Sequence, residues 1–206
     1  MNQVIHGAVR RDFKRLVSAL DRAQDGDAPR AKDLERAYAN LREQLVHHHE
    51  GEDRWIFPML GKVGVSPDLL ATMELEHGDM SAALEETSRV MATFAASGSR
   101  SDATAARDSM VRTQAVVEQH LDHEEKELES ALRPHVESPE WKEVEKRLSR
   151  QPLSVAGPFF AWVTDGMRDE HHAFLRSTVP APVTLVLGRV FGRRYNREIA
   201  PVWRAA

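Results

Sequence analysis

The chain has 206 residues, of which 41% are hydrophobic and 29% charged, and a net charge of −4. This is the composition of a globular protein with one large domain, or a domain and an extension, and no basic face over the first 150 residues suggests a nucleic-acid partner. Cysteine is absent, which excludes disulfides, thiolate-bound zinc and iron–sulfur clusters, so any metal must be held by nitrogen and oxygen.

No apolar run reaches the length of a membrane span, and Met1-Asn2-Gln3-Val4-Ile5-His6 is not a signal peptide. The expectation is a cytoplasmic protein with neither a nucleic-acid nor a membrane partner.

Turn residues divide the chain. Asp25-Gly26-Asp27-Ala28-Pro29 separates a first helix from a second, Gly61, Gly64 and Pro67 close the second, and Ser97-Gly98-Ser99 closes the third. Pro134 and Ser138-Pro139 end the fourth, and no stretch alternates with the period of a strand. The fold class expected is all-α: an antiparallel up-down four-helix bundle with a C-terminal, mostly helical extension packed on it. The boundary falls between residues 1–136 and 137–206.

The inward seams follow from helical spacing. The first helix offers His6, Val9, Phe13 and Leu20. The second offers Leu34, Leu41, Leu45, His48, Glu52, Trp55 and Met59. On the third lie Leu70, Met73, His77, Met80, Leu84, Thr87, Met91 and Phe94. On the fourth lie Ala103, Ala106, Met110, Thr113, Val117, His120 and Glu124. Each seam therefore carries one histidine, and two carry a glutamate four residues further on, which puts both side chains on one helix face.

With alternating helix direction, His6, His48, Glu52, His77, His120 and Glu124 meet in one layer near one end of the bundle. Buried imidazoles and carboxylates without partners cost several kcal/mol each. Two metal ions bridged by the glutamates satisfy all six. His49 falls off the seam and His123 lies beside it. Either could be an additional ligand or a supporting partner, while Glu76 and Glu125 read as solvated flanks.

This arrangement resembles the hemerythrin-like family, the HHE cation-binding domains. That family has a histidine on the first helix, HxxxE on the second, a histidine on the third and HxxxE on the fourth. The match runs over His6, His48–Glu52, His77 and His120–Glu124, with Glu52-Asp53-Arg54-Trp55-Ile56-Phe57-Pro58 resembling the family's second-helix ending. The resemblance covers about two thirds of the chain. It implies two non-haem iron ions, bridged by carboxylates and an oxo or hydroxo group, with a small diatomic or peroxide ligand.

One departure stands out. Oxygen-carrying hemerythrins have two histidines four apart on the third helix, whereas Met73 and Ser81 flank His77 here. A site short of one histidine leaves more open positions, which favours reactivity over storage. The functional expectation is a di-iron protein that binds or processes dioxygen, peroxide or nitric oxide, with catalase-like turnover as its enzymatic form. An iron- or gas-sensing module without turnover is the alternative.

In the extension, a short helix is expected over Trp141–Leu148 and a second from Pro158, with Asp169-Glu170-His171-His172 inside it. Adjacent His171 and His172 diverge on a helix, so capping or surface roles are expected. Arg189, Arg193, Arg194 and Arg197 read as a solvated basic face.

Overall fold

A computed structural model describes residues 1–204, and every regular element among them is helical. α1 (Asn2–Asp21) buries Val9, Phe13, Leu16 and Leu20 along one face. Asp27 caps α2 (Ala28–Gly51), its carboxylate accepting from the Arg30 N–H at 3.1 Å. The axis does not end at Gly51. A π-helical turn, Glu52–Ile56, carries it into α3 (Phe57–Lys62).

α4 (Pro67–Ser97) ends on Gly98, whose φ of +63° is costly for a side chain with a β-carbon. A β-carbon there would also meet the Ala28 backbone at 3.0 Å, so glycine is required twice over. Ser99 then caps α5 (Arg100–His123) through the Asp102 N–H at 3.1 Å. A second π-helical turn, Glu124–Leu128, leads into α6 (Glu129–Leu132).

α1, α2, α4 and α5 pack on one another as the up-down bundle. Along α4 and α5 the expected seams are buried, from Met73 to Phe94 and from Ala103 to Val117. Along α2 the phase changes. The π-helical turn inserts an extra residue into the winding, so Phe57 and Leu60 enter the core. Trp55, expected on the seam, is instead half-buried under the guanidinium groups of Arg54 and Arg147, 4.8 and 4.6 Å from its ring.

Tyr38 donates to the Leu84 carbonyl at 2.6 Å inside the bundle, and burial pushes its phenol up to about 12. Between pH 10 and 12 the unfolded chain loses this proton and the folded chain keeps it. Stability is therefore full below pH 10 and falls as pH rises to 12, by at most about 2.7 kcal/mol. Tyr38→Phe is expected to cost about 1 kcal/mol at neutral pH and to flatten the alkaline decline. Urea unfolding of both proteins across this range reads the difference, and parallel declines would show that Tyr38 is not the group responsible.

The extension comprises α7 (Pro139–Leu148), α8 (Leu153–Thr164), α9 (Asp169–Thr178), α10 (Ala181–Val186) and α11 (Arg193–Glu198). A third π-helical turn, Leu187–Phe191, prolongs α10. The helix expected from Pro158 is thus two helices. α8 begins five residues earlier with Pro158 inside it, and Gly166 at φ +70° turns the chain before Asp169–His172. Gly157 lets α8 cross the Leu187–Phe191 turn, since a β-carbon would overlap the Phe191 backbone.

Trp162, Tyr195, Ile199 and Val202 share one core with α1, while Val144 of α7 joins Phe57, Met59 and Leu60. The extension is thereby packed on two sides of the bundle.

Candidate metal centre

Alternating helix direction places residue 6 near the start of α1, residues 48–52 at the end of α2, residue 77 in the first half of α4 and residues 120–124 at the end of α5. All six predicted side chains reach the same layer, and His49 joins them. They form two groups, each with ligand-capable atoms within 4.8 Å of one another. One group is His6, His48 and Glu124; the other is His49, Glu52, His77 and His120.

The carboxylates join the groups. Glu52 lies 3.2 Å from His48 Nε2 through Oε1 and 3.6 Å from His77 Nε2 through Oε2. Glu124 Oε2 lies 3.2 Å from His6 Nε2 and 3.9 Å from His120 Nε2. Each glutamate is thus placed between one group and the other, where a bridging ligand has to be.

Both glutamates start a π-helical turn, Glu52–Ile56 and Glu124–Leu128. The widened backbone begins at the residue that must project deepest between two helices, a common use of such turns at functional sites.

His49 corrects the reading that left it off the seam. It is 7% exposed and its ring stacks on His77 at 4.3 Å between centroids. Successive helical residues diverge by about a quarter turn. At a layer holding two groups side by side, that divergence sends His48 to one group and His49 to the other. The second group therefore contains three histidines, His49 from α2, His77 from α4 and His120 from α5. His123 is excluded from both groups. Its Nδ1 lies 2.8 Å from Glu76 at the rim, and the side chain is 30% exposed. His47 is exposed.

Three acidic residues form an outer layer that the sequence reading missed. The Nδ1 atoms of His6, His77 and His120 lie 2.8, 2.7 and 2.9 Å from Glu125, Asp53 and Glu76. Glu76 and Glu125 are therefore not solvated flanks. Each carboxylate fixes an imidazole so that Nε2 points inward, as ligating histidines require. Their signal was present in the chain. Each of the three is the immediate sequence neighbour of an inward residue, and each serves a histidine from another helix. Asn2 donates to Glu124 Oε1 at 2.6 Å, and Arg10 holds Glu125 at 2.7 Å.

The electrostatics favour cations. Burial, then the neighbouring His6, push His48 down to about 3, and burial with its imidazole neighbours takes His49 well below the ordinary range. Both are neutral ligands. Burial and the nearby Glu124 push Glu52 far up, whereas the close imidazole of His6, 3.2 Å away, and the hydrogen bond from Asn2 outweigh burial and hold Glu124 down. Two carboxylates in one dry layer repel, and positive ions between them would remove that conflict.

Among the described residues nine buried side-chain atoms have no hydrogen-bond partner, and five of the nine are Nε2 of His49, His77 and His120, Oε2 of Glu52 and Oε2 of Glu124. All five belong to the two groups. Unsatisfied atoms of this kind are rare, and their concentration here fits bound metal.

Glu76→Ala is expected to weaken metal binding about 10–100-fold by freeing His120. Competition with a chelator measures it, and unchanged affinity would show that this carboxylate does not orient the ligand.

The family model described as the hemerythrin HHE cation binding domain matches residues 4–132. No curated protein and no solved structure matches the chain. The matched segment begins before His6 and ends after Glu124, so it spans every residue of both groups.

Proposed function

The chain belongs to the hemerythrin HHE cation-binding family, and from that premise we propose that its two groups hold two iron ions for binding or processing dioxygen, peroxide or nitric oxide. The observation that carries this reading is the convergence of orphaned buried ligand atoms into two groups spanned by Glu52 and Glu124. Imidazole and carboxylate in this mixture suit iron.

His49, His77, His120 and Glu52 would hold one iron, and His6, His48 and Glu124 the other, both carboxylates bridging. Bound iron would supply one-electron chemistry and affinity for a small oxidant.

The chain's own residues do the rest. Val9, Leu45, Met80 and Val117 lie one turn from the ligands on one side, with Phe57, Met73 and Leu128 on the other, all buried. They exclude bulk water and limit the site to small molecules. The group containing His6 has one imidazole fewer, which leaves more room there for an added ligand. Next to it, the paired His6 and Glu125 under Arg10 can hold a proton at the rim, since these hydrogen bonds outweigh burial and keep Glu125 down at about 2.

With His49 restored, the site is no longer short of a histidine, so turnover rests on that asymmetry alone. The test is iron content and the optical spectrum of the aerobic protein, followed by peroxide consumption. Two irons per chain with oxo-to-iron absorption in the near ultraviolet are expected. A protein that binds no more than one iron would end the di-iron reading, and peroxide loss no faster than with free iron would end the catalytic one.

A second reading is supported by α1, which carries both His6 and Asp12, the residue anchoring the extension. In a sensing module the metal state would reach α8 through this helix. Equal protease resistance of residues 138–204 with and without metal would remove that reading.

A further inference from the structure

Eleven large apolar side chains are exposed among the described residues, and seven of them fall between Leu153 and Phe191. Their distribution on the helix formed by α10 and the Leu187–Phe191 turn is the reverse of a surface helix. Pro182, Val183, Leu185, Val186 and Val190 are all exposed, and with Arg189 they fall on one side at helical spacing. About half of each of the four apolar side chains Val183, Leu185, Val186 and Val190 is open to solvent, at 44–52%.

The charge around it is one-sided. Residues 171–197 carry five arginines and neither aspartate nor glutamate, in a chain whose net charge is −4. All five are exposed, and among the described residues only Arg194 forms an ion pair, with Glu198. Next to this ridge, sharing Pro182, Leu185 and Arg189 with it, lies an open cleft of about 650 Å³, with Leu175 and Ala161 among its apolar walls and Arg176 and Arg204 also in its lining.

An exposed aliphatic ridge beside unpaired arginines, with an arginine-lined cleft along its edge, matches the surface of a bilayer containing anionic lipids. The ridge would enter the acyl boundary, the arginine stems would lie along it with their heads among the phosphates, and the cleft offers room for one headgroup. A second copy of the chain fits less well. A two-fold contact would place five arginines against the same five.

We propose that the α9–α10 region is a peripheral docking surface for anionic lipid bilayers. Among the described residues no helix is long and apolar enough to cross a membrane, and the contact proposed is a shallow one at the interface. It places the bundle at a membrane surface, contrary to the expectation from the sequence, where these arginines read as solvated.

The experiment is flotation of the metal-loaded full chain with vesicles of phosphatidylcholine alone, or mixed with phosphatidylglycerol. Binding to the mixed vesicles only, weakening with salt, is expected. Arg189→Gln with Arg193→Gln should weaken it about 25-fold, at about fivefold per arginine. Leu185→Asp with Val186→Asp should weaken it about tenfold or more. All variants should keep wild-type metal content and helicity, because the changed side chains are exposed.

Failure to float with the mixed vesicles overturns the proposal, as does equal flotation with both kinds. If the aspartate variant still binds, the contact is ionic adsorption and the inserted ridge is wrong. If the wild type dimerises without lipid and Val186→Asp abolishes the dimer, the face is an interface between copies, which also overturns it.

Discussion

Replacing His49 by leucine is expected to lower the metal content from two ions per chain to one. The same change at His123 should leave both in place. His49 stands three residues before Glu52 and His123 directly before Glu124, and the structure separates their roles. His49 brings an orphaned Nε2 into the group with Glu52, His77 and His120, whereas His123 is spent on Glu76 at the rim.

The effect on stability should have opposite signs in the two metal states. Without metal, the buried Nε2 of His49 is unsatisfied, a penalty of about 1–3 kcal/mol that leucine removes. The metal-free variant should therefore match or exceed the wild type. With metal, it forfeits the mass-action stabilisation of one site, about 2.7 kcal/mol at a hundredfold excess over the dissociation constant. Thermal unfolding with and without chelator measures both. A His49→Leu protein that retains two metals and the full metal-dependent increment would remove His49 from the ligand set.

The four-helix pattern and the level of the site were legible because they depend on helical spacing alone. His6, Met80, Thr113 and Val117 fall where periodicity puts them, and all are buried. The phase of α2 beyond Gly51 was not legible. Its π-helical turn depends on Glu52 being drawn between two helices, a tertiary demand that no local pattern encodes. The same blindness hid His49, since a single seam cannot represent a layer with two groups side by side. Glu76 and Glu125 read as solvent-facing, and the role of Asp53 went unread, for a related reason: each satisfies a histidine from another helix across the rim. In the extension, Pro158 is tolerated inside α8, so a proline that looked like a beginning lies mid-helix.

The second large effect lies away from the metal. Asp12→Ala is expected to cost about 3 kcal/mol or more, because it strips a buried charge from a network joining α1 to the extension. Asp12 is fully buried. Its Oδ2 accepts from Trp162 Nε1 at 2.8 Å, and its Oδ1 accepts from Arg11 and Arg15 at 2.7 and 3.3 Å. Arg11 also donates to the Trp162 carbonyl at 3.2 Å, and Tyr195 donates to Asp165 at 2.9 Å, with Arg15 reaching the same carboxylate at 3.5 Å. Alanine leaves the indole N–H of a fully buried tryptophan unsatisfied and two guanidinium groups without their shared anion.

Asp12→Asn separates the causes, since it keeps an acceptor for Trp162 but not the charge. It should fall between wild type and alanine if both matter. Chemical denaturation gives the size of the loss, and limited proteolysis gives its location. Cleavage should accelerate within residues 166–198, where arginines are exposed, while residues 2–132 stay protected as long as the bundle retains its metal. Cleavage spread evenly along the whole chain would mean instead that bundle and extension unfold together, so that the Asp12 network belongs to one cooperative core and does not latch a separate layer.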